Sequence, residues 1–266
     1  MFAIPMWIVS PVTLVLVLLA IEGGFRLGRA SRVRSEDEKE APVSAITGTV
    51  LAMLAFIMAF TFGIVSDRYD MRKALVREEA GAIRTAWLRS DFLPEPDRGQ
   101  AVGLIREYVD SRLAAVQSGD VAQVVASTGV SERIHRQLWD MAVANARLDM
   151  NSDVAALYVD SLNDVIKVHA MRVAVGLHAR IPLGIWMALY ALIVLSMFAV
   201  GYHTAIAGSK RTWMLLVLAL SFSMVITLIG ALDRAQSGYL PVSQQPLEDL
   251  RESMGGTTPD GRYDRR

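Results

Sequence analysis

Cysteine is absent from the 266 residues, which excludes disulfides, thiolate metal sites and thiol nucleophiles. Net charge is absent too, because 27 basic side chains balance 27 acidic ones. A chain without electropositive excess has no electrostatic reason to bind nucleic acid, and no such partner is expected. Strict alternation of apolar and polar residues is missing, so no sheet is expected. The most informative absence is local. Four long runs, Phe2–Ile21, Val43–Val65, Ile181–Tyr202 and Trp213–Leu232, contain no Asp, Glu, Lys or Arg.

About 20 helical residues at 1.5 Å each cover the roughly 30 Å of a hydrocarbon core, so each run is long enough to cross a membrane. The hydrophobic share of 53% agrees. The expected fold is an all-α membrane protein with four transmembrane helices and a helical extramembrane domain between the second and third. Residues 1–42 form the first transmembrane helix and a charged loop, 43–65 the second helix, and 66–180 the helical domain. Residues 181–232 form a transmembrane hairpin (181–202 and 213–232), and 233–266 a polar tail whose second half is expected to be disordered. Within that tail, Pro246-Leu247-Glu248-Asp249-Leu250 is a docking candidate. A cleaved signal peptide is disfavoured for the first run. Met1–Trp7 has no basic residue, and Ile21-Glu22-Gly23-Gly24 is not an A-x-A site. Ser10-Pro11 reads either as a helix start or as a kink in a longer span. Arg26 to Glu40 reads as a solvated connection.

The second run organises the rest. It continues without proline into Ser66-Asp67-Arg68-Tyr69-Asp70 and on to Trp87, as one helix that crosses the bilayer and enters water. The Leu93-Pro94-Glu95-Pro96 turn ends it. Asp97 is then expected to cap a helix with Val102, Ile105, Val109, Leu113 and Val116 on one face. Ser131 is expected to cap another, with Ile134, Leu138, Met141 and Val143 towards a core, and Ser152 a last one that reaches His178. Counting Lys and Arg in the short loops puts those loops in the cytoplasm and the helical domain outside. The basic residues flanking the domain nearly level that count.

No catalytic residue, metal site or cofactor is expected. Gly24-x-x-x-Gly28 has the spacing of a helix contact, not of a phosphate loop. His135, His169, His178 and His203 lack metal-ligand spacing and read as surface or capping residues. Glu78 and Glu79 are adjacent, so they point to different faces and suit solvation. An ion-coupled carrier usually needs charge inside the membrane, and the four runs have none. What the second run has is aromatic: Phe56 and Phe60 at i and i+4, preceded by Ala52. Ordinary packing against helices or lipid explains such a pair. So does a hydrophobic constriction that gates by dewetting.

Phe60 is followed by Asp67-Arg68-Tyr69 and the basic Arg72-Lys73, a stretch that resembles the second transmembrane helix of the bestrophin family. Ser161-Leu162-Asn163-Asp164 ahead of Ile181-Pro182-Leu183 is similar to the family's Leu-Asn-acidic segment and the start of its third span. Gly238 and the Pro246–Leu250 stretch resemble the exit from its fourth span and a docking segment. The resemblance runs in order from about Val43 to Leu250. It implies a pentameric channel with a cytoplasmic helical domain and a pore neck at Ala52, Phe56 and Phe60. Ile64, Asp67 and Arg68 become candidates for the pore mouth. Tyr69, Arg72, Asn163, Pro182 and Gly238 become motif residues of structural importance. Thr61 departs from the family, where Arg often follows the neck Phe, and so does Asp70, where an aromatic is usual. The acidic calcium motif of animal bestrophins is absent, so calcium gating is not implied. At 100° per residue, Asp67 lies about 20° from Phe60, Ile64 about 40° and Arg68 about 80°, which leaves ion sign open.

The leading expectation is a homo-oligomeric, bestrophin-like ion channel or pore subunit of the bacterial inner membrane, with lipid, its own copies and small ions as partners. The alternative is a non-conducting membrane scaffold or sensor whose helical domain binds a protein.

Overall fold

A computed structural model describes residues 6–34, 40–178, 180–209, 213–234 and 241–255. They form eight α-helices and no strand among the described residues: α1 Met6–Arg34, α2 Glu40–Arg89, α3 Asp97–Gln117, α4 Val121–Ala146, α5 Asp153–Val173, α6 Leu183–Ile206, α7 Trp213–Asp233 and α8 Gln245–Gly255. Two compact units result, Met1–Asp67 with Arg180–Arg234, and Arg68–Ala179 with Ala235–Arg266. Helix α2 supplies residues to both.

Four helices, Ile8–Val33, Glu40–Phe92, Leu183–Ile206 and Trp213–Asp233, are long and apolar enough to cross a membrane, the second of them belonging to the first unit as far as Asp67. Helix α1 runs through Pro11 and on to Arg34, so Arg26 to Arg34 are helical rather than part of a loop. The ion pair of Arg26 Nε with Glu22 Oε1 at 2.6 Å, one turn apart, supports that extension. Helix α2 likewise begins at Glu40 and carries Pro42 in its first turn, where a missing N–H costs little. A core joins Val17 and Ile21 of α1, Leu54 and Met58 of α2, Leu189, Ile193 and Met197 of α6, and Ala219 and Ile226 of α7. The Gly24/Gly28 stripe does what its spacing suggests. A Cβ at Gly24 would overlap the Phe198 carbonyl, and one at Gly28 would sit 2.7 Å from the Tyr202 oxygen. Helices α1 and α6 therefore touch backbone to backbone. Where α7 ends, the buried Asp233 carboxylate accepts the Ile181 amide at 3.0 Å, tying that end to the entry of α6.

The second unit packs Val76, Ile83 and Trp87 of α2 around Ile105, Tyr108 and Val109 of α3, Ile134 and Leu138 of α4, and Tyr158, Leu162 and Val165 of α5. Ser152 caps α5 as its sequence indicates, its hydroxyl accepting from Ala155 N. Ser131 does not cap α4. That helix is capped eleven residues earlier, where Asp120 accepts from Ala122 N, and Ser131 is buried within it, donating to Ser127 O at 2.9 Å. Asp97 is the first residue of α3 rather than its cap, and its carboxylate accepts from Asn145 Nδ2 at 2.6 Å. Helix α5 ends at Val173 and gives way to a π-turn over Ala174–His178. The docking stretch is α8, which buries Leu247, Leu250 and Met254, spaced along one face, in this core.

Candidate functional site

Along its membrane portion α2 has two unlike faces. Leu54, Met58, Thr61 and Val65 recur at helical spacing and are buried in the first unit. On the opposite side Ala52 is exposed, Phe56 is 68% exposed and Phe60 63%. Thr61 therefore lies on the covered side, with its hydroxyl bonded to Ile57 O at 2.7 Å. The exposed line continues through Gly63 to Asp67, which is exposed, while Ile64 turns half-buried. The small angular drift of a seven-residue step keeps Asp67 below Phe60, whereas a four-residue step carries Ile64 towards the core. Among the described residues the two phenylalanines are thus left largely uncovered.

The other motif residues scatter. Arg68 and Tyr69 are half-buried, and Lys73 Nζ lies 5.6 Å from the Tyr69 ring centroid, a cation–π distance. Arg72 is buried. Asn163 is exposed on α5. Pro182 precedes α6 as its N-cap, and its carbonyl accepts from Ile185 N at 3.0 Å. Gly238 lies outside the described residues.

The second unit holds a constellation that its sequence reading misassigned. Glu79 is not solvated; its side chain is fully buried, and His135 and His169 are core residues rather than surface ones. Tyr108 donates its hydroxyl to Glu79 Oε1 at 2.6 Å. Having spent its one proton, that oxygen accepts from His169 Nδ1 at 3.0 Å, which fixes the neutral tautomer of the ring. Arg112 Nε lies 3.5 Å from Glu79 Oε1, and Arg172 binds Oε2 and also donates to Gln244 Oε1 at 3.1 Å. The His135 ring stacks at 4.8 Å from Tyr108 and 4.9 Å from His169. One carboxylate is therefore shared by two guanidinium groups, Arg112 buried and Arg172 mostly so. Among the described residues no group of three or more His, Cys, Asp or Glu could hold a metal.

Burial governs the protonation of this cluster. It pushes Tyr108 well above the usual phenol range and lowers Arg172 to about 10. His135 falls from 6.5 to about 4 through burial, then through the neighbouring His169 and Arg112. His169 also falls to about 4, through burial and Arg112, with Glu132 opposing. Both rings are thus neutral when folded and titrate higher when unfolded, so the unfolded chain binds more protons between these values. Stability is full above about pH 6.5 and drops as pH falls from there towards 4. Thermal unfolding followed by helix content should show a midpoint that declines over that window. A His135→Gln/His169→Gln variant should flatten the slope; an unchanged slope would contradict the assignment.

Comparison with known proteins follows the same lines. The chain matches the model of a family described as Bestrophin-like domain over residues 14–247. No curated protein matches it by sequence. A crystal structure of a bacterial bestrophin homologue from Klebsiella pneumoniae, carrying one substitution, is similar with a TM-score of 0.61 and 13% identity. A crystal structure described only as a membrane protein, also a point variant, is similar with a TM-score of 0.63 and 14% identity. Each comparison covers 94% of this chain and 98% of the other, so the fold is shared over nearly the whole length. With four membrane-length helices, that fold, and a family model spanning α1 to α8, the chain belongs to the bestrophin-like family of membrane proteins, a family of channel type.

Proposed function

We propose that this chain assembles as a homo-oligomer, pentameric as the family resemblance implies, and conducts small ions along α2 across the bacterial inner membrane. The observation that carries this reading is the uncovered line Ala52–Phe56–Phe60 on a helix whose other face is buried in its own chain. One copy cannot enclose an axis. Several copies that turn this line inward make a ring of aromatic side chains, a constriction that is hard to wet and that admits ions only when it widens. No chemistry is needed.

Asp67 lies on the same face, one helical repeat beyond Phe60, and is the first charge after the uncharged run. It therefore biases which ion enters. Asp67→Asn is expected to lower the cation-to-anion permeability ratio severalfold, read as a shift of reversal potential under a salt gradient. An unchanged ratio would remove Asp67 from the conduction path.

The proposal is tested by native mass measurement of purified protein together with ion flux from reconstituted liposomes. A ring-sized oligomer with flux supports it. A monomer or dimer without flux refutes it and favours the scaffold reading, in which the helical domain binds a protein partner.

A further inference from the structure

Beyond Gly28, α1 changes from glycine to large side chains at Arg29, Arg32 and Val33. An open cleft of about 800 Å³ lies there, lined by Phe25, Arg29, Arg32 and Val33 of α1 and by Ala205 and Gly208 at the end of α6. Gly208 takes φ +70 and closes α6, with Gly208 N bonded to Ala205 O and Ser209 N to Thr204 O. The Arg32 guanidinium lies directly over Gly208, where a Cβ would collide with it. The left-handed backbone favours glycine at this corner.

Two features separate this cleft from ordinary helix-end charge. Arginine near a helix C-terminus complements the helix dipole, which accounts for one such residue. Here two arginines line one cleft together with apolar walls from Phe25, Val33 and Ala205. Arg26, by contrast, is neutralised by Glu22, while Arg29 and Arg32 have no acidic partner among the described residues. The depth also matters. Ala205 lies three residues, roughly 4.5 Å, past Tyr202, the end of the uncharged run of α6, which is within the headgroup layer of a bilayer. Trp213, 82% exposed at the start of α7, is the kind of residue that anchors at this level.

We infer that the cleft between the ends of α1 and α6 binds the phosphate headgroup of an anionic phospholipid. Arg29 and Arg32 hold the phosphate oxygens, and Phe25, the deepest of the α1 residues that line the cleft, faces the upper acyl chain. Guanidinium suits phosphate because its planar donors can bind two oxygens together. A cleft of this size is adequate for a headgroup but is too open to retain a small free anion against water.

The test uses the full chain in a zwitterionic detergent, with thermal stabilisation read against added short-chain phosphatidylglycerol, short-chain phosphatidylcholine or inorganic phosphate. Wild type and Arg26→Gln are expected to be stabilised by phosphatidylglycerol, and Arg29→Gln/Arg32→Gln to need about tenfold more lipid for the same shift. Arg26→Gln removes an equal charge one turn away, so it separates the cleft from general electrostatics. Equal responses of wild type and the double variant would overturn the inference. So would equal stabilisation by the two lipids, or by inorganic phosphate at the same concentration, which would mark a site for free anions. If the double variant unfolds without ligand, the single Arg29→Gln variant carries the same comparison, since Arg29 is exposed.

Discussion

Replacing Phe56 and Phe60 together with alanine is expected to raise ion flux through reconstituted protein by about tenfold or more. A barrier lower by about 1.4 kcal/mol already gives a factor of ten. Removal of both rings from every copy widens the narrowest part of the proposed pore and lets water fill it. Little stability should be lost, because both rings are largely uncovered in their own chain. The contrast is Met58→Ala on the same helix. Met58 is buried in the first unit, so its truncation should cost about 2–5 kcal/mol in packing yet leave the constriction closed. Flux that stays the same in the Phe56→Ala/Phe60→Ala variant, or that rises equally in Met58→Ala, would contradict a neck on this face.

The second large effect concerns Glu79. Glu79→Ala leaves the buried Arg112 and the mostly buried Arg172 without their shared carboxylate and takes the acceptor from Tyr108. Breaking a buried ion pair from one side typically costs about 3–5 kcal/mol, because the remaining charge is stranded in a poorly polarisable interior. Glu78→Ala removes an adjacent carboxylate that is exposed, and should change stability by less than about 0.5 kcal/mol. Denaturant or thermal unfolding of the two variants in parallel decides the matter. Equal, small effects would mean that the cluster does not hold the helical unit together.

The transmembrane architecture was legible because it rests on the coarsest signal in the chain, the absence of charge over membrane-length runs. The docking stretch Pro246–Leu250 was legible as a segment similar to one in the family, but not that it is a helix with Leu247, Leu250 and Met254 on one face. Glu79 was misread because an adjacent pair of acids looks like a solvated surface. The usable signal was its place on the stripe Val76, Ala80, Ile83 and Trp87. Arg112 and His169 likewise continue the apolar faces of α3 and α5, after Tyr108 and Val165. A polar residue on a buried stripe needs partners from other helices, and spacing along one helix cannot name them. The start of α4 failed differently. Ser131 and Asp120 both have capping chemistry, and only the burial of Ser131 within a longer helix distinguishes them. For the proposed neck, helical spacing puts Ala52, Phe56 and Phe60 on one side of α2; that this side is the uncovered one depends on how α1, α6 and α7 pack, which periodicity does not encode.

The lack of native cysteine allows the central claim to be tested one position at a time. Single Phe56→Cys, Phe60→Cys, Leu54→Cys and Met58→Cys variants, reconstituted in liposomes, can be treated with a charged thiol reagent while flux is recorded. If α2 lines the conduction path with its exposed face, the reagent blocks flux through the Phe56→Cys and Phe60→Cys proteins and spares the Leu54→Cys and Met58→Cys proteins. Block at Leu54 or Met58, or no block at either phenylalanine position in a conducting protein, would contradict it.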